Sequence, residues 1–213
     1  SDCAQWFSQF DRSIWKDLNL SGVGLSIGKP KSTISLQPDG NHLTLEGDQI
    51  HGANVDPVDQ AAYADFQKMM KQFAKMMSTL YRTRPPKLVE SNWVDKMTLL
   101  KLGVGLKMLG RANMQDLMRI IMINIYDVMN EYFSHPALKG TLALDAITGT
   151  NMGPRSPNSV YTYLHLMTGQ HLAQTGITQV IGGMGELGQA LAKVAENEGV
   201  TLKLESEVQN ITK

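Results

Sequence analysis

The chain has 213 residues, equal numbers of acidic and basic side chains, and 42% apolar residues. This length is enough for one large domain or two small ones with a buried core. The balanced charge gives no basic surface of the kind that nucleic acids require, and no RNA-binding or helix-turn-helix motif is present, so nucleic-acid-binding proteins are excluded. No segment reaches the ~18 uninterrupted apolar residues of a membrane-spanning helix.

The cysteine, the histidines and the first ten residues limit the kinds of site and the cellular compartment that we expect. The single cysteine, Cys3, excludes an intrachain disulfide and a Cys-x-x-Cys site. His165 and His171 are six residues apart without a carboxylate or cysteine cluster beside them, so no metal site is predicted. Residues 1–10 lack a basic segment followed by an apolar run, as an export signal would have. We therefore expect a cytoplasmic protein, with peripheral attachment to a membrane left open.

The N-terminal quarter predicts a short helix and a small antiparallel sheet. A helix is expected over Asp11–Leu18. Apolar residues then alternate with small or polar ones in three pairs, and a Pro-Asp-Gly turn at residues 38–40 separates the last two. The pattern predicts a sheet over about residues 22–47 with one apolar face that helices must cover. The three pairs are Leu25 with Ile27, Ile34 with Leu36, and Leu43 with Leu45.

Helices are predicted over about residues 57–168, which makes the chain an α+β protein. Asp56 and Pro57 begin the first one, and Pro85 and Pro86 prevent its continuation. Its apolar stripe is expected at Ala62, Phe66, Met69, Phe73, Met76 and Leu80. Further helices are predicted over 93–109, 113–135, 136–147 and 159–167, the second of these as one continuous helix buried on most sides.

Thirteen methionines accompany only five phenylalanines. Methionine adapts to irregular apolar space, so this bias has two interpretations. One is a packed core rich in methionine, and the other is a cavity lined for an apolar ligand.

The glycine run at residues 182–188 also has two interpretations. Gly183, Gly185 and Gly188 have the spacing of a dinucleotide-binding loop, with strand-like residues before and after it and Glu205 at the distance of a ribose-binding acid. However, the preceding segment, residues 176–181, is short and interrupted, unlike a central parallel strand. A dinucleotide fold also needs at least two βαβ units, which this sequence does not supply after the loop.

The second interpretation comes from resemblance. Residues 180–192, 198–204 and 207–211 together resemble a block of phytoene-desaturase-like oxidoreductases, which belong to the amine-oxidase-like group of flavoenzymes. Weaker matches occur in the expected order at residues 17–23, 37–40, 59–66 and 157–165. The letters of the strongest part are VIGGMGELGQALA, EGVTLKL and EVQNI.

The resemblance implies FAD as cofactor and a fragment of a longer enzyme. Gly182, Gly183 and Met184 would open a helix that returns the chain to the FAD sheet, and the Val208 backbone would contact the adenine end of FAD. Such proteins begin with a true glycine-rich loop and end with a further FAD segment, and neither is found here. The resemblance thus divides the chain into a substrate-binding region, residues 1–176, and a helix and strand of the FAD-binding domain, residues 177–213.

The substrate is expected to be a small apolar compound, isoprenoid-like by the resemblance. We predict that the substrate is bound by side chains of the irregular loop 148–157 and of the helix after it. These are Met152, Tyr161, Tyr163 and His165. The alternative is that these side chains only pack against the helices. In this family the flavin performs the redox step, so the resemblance assigns no catalytic residue. A homodimer is compatible with the sequence.

Two other functions remain open. The chain could be a self-contained nucleotide-binding module that uses Gly183–Gly188, or a non-enzymatic helical module that binds lipid or a partner through Lys96–Lys107.

Overall fold

The computed structural model describes residues 6–52 and 54–212, so Cys3 lies outside the described residues. Eight helices and three strands occur in this part of the chain, which confirms the α+β class. In chain order they are α1 (Arg12–Asp17), β1 (Thr33–Ser35), β2 (Leu43–Glu46), β3 (Gln49–Gly52), α2 (Pro57–Tyr81), α3 (Trp93–Met108), α4 (Arg111–Ile120), α5 (Ile125–Tyr132), α6 (Pro136–Ile147), α7 (Ser159–Ala173) and α8 (Met184–Asn197).

The sheet is antiparallel, as predicted, but it is displaced along the chain. Its order is β1-β2-β3, with Ile34 opposite Thr44 and Leu45 opposite Ile50. Leu25 and Ile27 lie outside it, and β3, which the sequence pattern did not predict, completes it. The apolar face is formed by β2, because Leu43 and Leu45 are buried.

Exposure of the first strand corrects the prediction of a continuous apolar face. Ile34 is 55% exposed and Leu36 is 74% exposed, so the edge at β1 contributes little to the core. The predicted turn is present, since the Gly40 amide donates to the Gln37 carbonyl at 3.1 Å.

Helix α2 is the centre of the main core. Its start is fixed as predicted, with the Asp56 carboxylate accepting from the Val58 amide at 2.8 Å and Pro57 in the first turn. The buried stripe is broader than predicted and rotated, since Met70 and Met77 are buried where Met69 and Met76 were expected. The helix packs most extensively on α7.

Asp59 connects α2 to the start of α6. Its carboxylate is 3% exposed and accepts hydrogen bonds from the Ser134 amide, the Ser134 hydroxyl and the His135 amide at 2.7–3.3 Å. Burial by itself would raise the pKa of Asp59, but these hydrogen bonds outweigh it and hold the pKa below its usual range. Asp59 is therefore a buried anchor, and not only a charge that complements its own helix dipole.

The single helix predicted over 113–135 is two helices, α4 and α5. Asn124 ends the continuity because its side chain accepts from the Asp127 amide at 2.9 Å and so begins a new helix. The buried Ser159 hydroxyl accepts from the Ile125 amide at 2.8 Å, which fixes this new start against α7. The expected all-round burial is also wrong, since Met118 and Met122 are more than 60% exposed.

The apolar side chains form two clusters. The main one joins β2 with α2, α5, α6 and α7, and Met70, Met129 and Met167 are packed inside it. Methionine therefore contributes to the core, which is the first of the two interpretations of the methionine bias.

The second cluster joins residues near the N-terminus to residues before and within α8. Phe7, Trp15, Leu20 and Leu25 pack with Val180 and Ala190. Antiparallel bridges between Phe7 and Thr178 and between Ile27 and Val180 hold these segments together. The cluster takes residues from both sides of the predicted boundary between residues 176 and 177, and that boundary stays a prediction.

The C-terminal segment, residues 200–212, follows α8 without regular structure. A strand was predicted at 201–204, yet within residues 6–52 and 54–212 no segment pairs with it and its side chains are exposed. A strand is defined by hydrogen bonds to a neighbour, so the strand at 201–204 stays a prediction. Among the described helices, none is both long enough and apolar enough to cross a bilayer.

Replacing Asp59 by Asn should lower the free energy of unfolding by about 1–3 kcal/mol at neutral pH, because buried amides lose a charged acceptor. The folded-state pKa of Asp59 is depressed, so its contribution is present above the unfolded pKa of ~3.9 and is lost as the pH falls through the folded value. Urea unfolding of both proteins at pH 7 and at pH 3 measures the difference. The exposed Asp65→Asn variant on the same helix is the control, and an equal loss in that variant would contradict the role of Asp59.

Candidate functional site

An open cleft of about 460 Å³ lies where the end of α2 meets α7. It is lined by Tyr81, Tyr161, Thr162 and His165. Tyr161 and His165 are four residues apart on α7, so they lie on the same helix face. The structure thus brings two of the predicted substrate-binding residues together and adds Tyr81, which the sequence did not indicate.

Tyr81 and His165 form a hydrogen-bonded pair. The Tyr81 hydroxyl is 2.8 Å from Nδ1 of His165, and the ring centroids are 5.5 Å apart. Burial, and then the neighbouring Tyr161 hydroxyl, hold the pKa of Tyr81 well above its usual range. Tyr81 therefore keeps its proton. When its hydroxyl donates to Nδ1, the ring hydrogen of His165 is on Nε2.

Tyr163 points away from this cleft. It is 3% exposed, accepts from Gln67 Nε2 at 3.1 Å, and its ring lies 6.0 Å from the ring of Phe66. Two residues along a helix are about 200° apart, so Tyr163 and the cleft residues are on opposite faces of α7. The geometry gives Tyr163 the packing role that was the alternative for these side chains.

Met152 lies in the loop between α6 and α7 and is not among the residues that line the cleft. This loop holds the start of α5. The Pro154 carbonyl accepts from the Tyr126 amide at 3.0 Å, and the Arg155 guanidinium lies 4.2 Å from the centre of the Tyr126 ring. The irregular loop therefore has a definite structural role.

The glycine pair forms the turn that begins α8. Gly182 and Gly183 have φ of 88° and 96°, a region that disfavours other residues. Met184 is the first helical residue and packs against the second apolar cluster. The preceding Val180 makes only an isolated antiparallel bridge, so the described residues do not provide the parallel strand of a dinucleotide-binding loop.

Val208, the expected adenine contact, is 75% exposed in the C-terminal segment. The cofactor-binding residues of the prediction are thus at the start of α8 and beyond its end. Neither group lines the cleft formed by Tyr81 and His165.

A partly buried carboxyl, Asp145 on α6, is a second feature that the sequence did not indicate. Burial raises the pKa of Asp145 to about 6. Burial, and then the charges of Asp145 and Asp48, raise the pKa of Tyr63 to about 12, and the Tyr63 hydroxyl donates to the Gly47 carbonyl at 3.1 Å. Burial also raises the pKa of Tyr163, with smaller contributions from Tyr63 and Asp145. An acid in this setting is neutral over a wider pH range than usual.

Two of these features could not be read from local patterns. Tyr81 and His165 are 84 residues apart, and the burial of Asp145 depends on how α6 packs. Within residues 6–52 and 54–212, no group of three or more histidine, cysteine, aspartate or glutamate side chains could hold a metal ion.

Tyr163→Phe should lower the free energy of unfolding by about 1–3 kcal/mol, because Gln67 loses its buried acceptor. Tyr161→Phe removes a hydroxyl at the exposed edge of the cleft and should change stability by less than about 0.5 kcal/mol. Chemical denaturation of the two variants measures both effects. Equal losses of unfolding free energy in the two variants would contradict a buried Tyr163 face and an exposed Tyr161 face of α7.

Asp145→Asn should stabilise the fold at pH 8 and have little effect near pH 4. The folded-state pKa of Asp145 is raised, so the stability that it provides at low pH is lost as the pH rises through about 6. The gain stays below about 3 kcal/mol, since one pKa unit corresponds to about 1.4 kcal/mol. Thermal unfolding across this pH range measures it, and a pH-independent effect would contradict the burial of the charge.

Comparison with known proteins gives sequence relatives but no matching family model and no matching solved structure. The chain is similar to pyridine nucleotide-disulfide oxidoreductase domain-containing protein 2 of Rattus norvegicus, with 27% identity over 217 residues, and to its counterpart of the same name in Mus musculus, with 28% identity over 212 residues. The alignments cover 93% and 92% of this chain but 37% and 36% of the relatives. The chain thus spans little more than a third of the length of these proteins, whose name describes an oxidoreductase domain.

Proposed function

We propose that the chain is the substrate-binding portion of an FAD-dependent oxidoreductase that acts on an apolar, isoprenoid-like compound. The observation that carries the proposal is similarity over almost the whole chain to proteins named for an oxidoreductase domain. The block of sequence around the glycine pair, which resembles phytoene-desaturase-like enzymes, supports the choice of FAD and of an apolar substrate.

The start of α8 fits an edge contact with FAD and does not fit a complete cofactor site. Gly183 caps the helix and no cap side chain accepts from the first-turn amides, a feature shared with phosphate-binding helix starts. The Glu186 side chain lies over Gly182, and its negative charge opposes a phosphate there. We therefore assign Gly182, Gly183, Met184 and Val208 to contacts at the margin of a cofactor that other segments hold.

Bound FAD would accept a hydride from the substrate carbon, which is chemistry that the protein side chains cannot supply. The cleft beside α7 would orient the substrate. The Tyr81 hydrogen bond orients the His165 ring, so that Nε2 on its other side can bind a polar end group on an otherwise apolar compound. A few placed polar groups in an apolar site are the usual means of fixing orientation.

The self-contained nucleotide-binding module is less well supported. It requires Gly183–Gly188 to follow a parallel strand, and the segment before it makes an isolated antiparallel bridge. It predicts that the 213-residue chain binds FAD or NAD on its own, which the experiment below also tests.

The complete protein encoded by the natural gene should contain a flavin, seen in its visible absorbance spectrum. Anaerobic addition of geranylgeraniol as an isoprenoid probe should bleach that absorbance. Tyr81→Phe should slow the bleaching by about tenfold, because one orienting hydrogen bond is lost, while the flavin content is unchanged. Stopped-flow absorbance measures the rate.

Tyr126→Phe, which removes a tyrosine hydroxyl outside the cleft, is the matched control and should bleach at the wild-type rate. Absence of flavin from the complete protein would contradict the proposal. Tight binding of FAD by the 213-residue chain alone, measured by calorimetry, would favour the nucleotide-binding module.

A further inference from the structure

Helix α3 has apolar side chains on two opposite faces, and only one of them is covered. Leu106 on this helix and Leu109 just after it pack against the main core, and Asp95 on the same side is buried. The helix lies against α2 and α4. A helix that is apolar all round is normally enclosed on all sides, so the second face needs an explanation.

The second face is a regular apolar stripe exposed to solvent. Its residues recur at steps of four, three, four and four, which places them along one side of the helix. The exposed fractions are 74% for Trp93, 58% for Leu100, 47% for Val104 and 82% for Met108. Met97 lies between them and is partly exposed. We call these five residues the outer stripe.

Exposed lysines border the outer stripe on both sides. By helical geometry Lys96 and Lys107 lie along one edge of it, and Lys101 lies along the other. The only acidic side chain on the helix, Asp95, is turned inward, where it accepts from the Asn92 amide at 3.1 Å in the capping box. The outer surface of α3 is therefore apolar along its centre and positively charged along its margins.

The loop before α3 also carries exposed apolar side chains. Leu88 and Val89 are each 80% exposed, between the exposed Lys87 and Glu90. A tryptophan at the end of an apolar stripe, with lysines beside it, is the arrangement that settles at the boundary between lipid headgroups and acyl chains. A protein partner that covered this face would need an apolar surface with carboxylates on both sides of it. An anionic bilayer offers an apolar interior and negatively charged headgroups, and it does so whichever way the helix points in the membrane plane.

We propose that the outer stripe of α3 docks the protein on an anionic lipid bilayer, with the helix lying in the plane of the surface. The stripe enters the acyl region, and Lys96, Lys101 and Lys107 contact the phosphates. This proposal does not depend on the oxidoreductase function, because it uses different residues and a different readout.

The test is vesicle flotation of the protein in its full natural length. Wild-type protein should float with vesicles of phosphatidylcholine and phosphatidylglycerol and bind much less to phosphatidylcholine alone. Raising the salt concentration should weaken binding to the anionic vesicles, since exposed charges are screened. Vesicles with brominated acyl chains should quench the fluorescence of Trp93. The contribution of Trp93 is the difference in quenching between the wild-type protein and the Trp93→Tyr variant.

Two pairs of substitutions test the two parts of the surface. Leu100→Gln with Val104→Gln should reduce partitioning by about tenfold or more, and Lys96→Gln with Lys107→Gln should reduce it by a similar factor on anionic vesicles only. All four side chains are exposed, so thermal unfolding should be unchanged. The matched controls are Ile34→Gln with Leu36→Gln on the sheet edge and Lys68→Gln with Lys75→Gln on α2, and both should bind as wild type does.

Three results would overturn the proposal. Wild-type protein that does not float shows that the face is not a lipid-binding surface. Flotation that survives both pairs of substitutions on α3 places the lipid contact elsewhere. A dimer of the wild-type protein that is lost in the Leu100→Gln, Val104→Gln variant, without flotation of either, identifies the outer stripe as an interface between two copies of the chain.

Discussion

The buried carboxylate of Asp59 sets the geometry on which the main core depends. It lies in the first turn of α2 and accepts hydrogen bonds from Ser134 and His135, at the entrance to α6. A carboxylate can be buried only where donors replace the water that it loses, so the two segments must meet in one arrangement. Because α6 also packs on α7, and α7 on α2, this group links three helices that contact one another.

That arrangement determines which side chains of α7 are available for chemistry. The face that packs on α2 buries Tyr163 with Gln67, and the other face presents Tyr161 and His165 next to Tyr81. The same packing shields Asp145 on α6 from water and shifts its pKa. One rigid helix therefore separates a structural tyrosine from a cleft whose polar groups are held in place by neighbours.

Local chemistry made much of the fold predictable. Asp56 with Pro57 gave the start of α2, and Pro136 gave the start of α6, because caps and prolines act within a few residues. The break between α4 and α5 was missed because a nearly continuous apolar run concealed the cap at Asn124. Strand β3 was missed because its edge position gives it no alternation of apolar residues.

The candidate site was less predictable because it depends on contacts distant in sequence. Tyr161 and His165 were predicted because they follow an irregular loop, and both line the cleft. Tyr81 was not predicted, because it comes from the distant end of α2. Tyr163 was also predicted to bind substrate because it is close in sequence to Tyr161 and His165, although it lies on the opposite side of the helix. The cofactor contacts at Gly182, Gly183, Met184 and Val208 depend on a resemblance and remain proposals.

The second apolar cluster also has a consequence for the order of folding. The Thr178 hydroxyl donates to the Gly28 carbonyl across 150 residues of sequence, and Phe7 and Trp15 pack with Ala190. Contacts so distant in sequence carry a large loop-closure entropy, so they form slowly from the open chain. The main core, which lies between these ends, shortens the effective loop once it has formed. Because synthesis proceeds from the N-terminus, this cluster cannot be complete before α8 has been made.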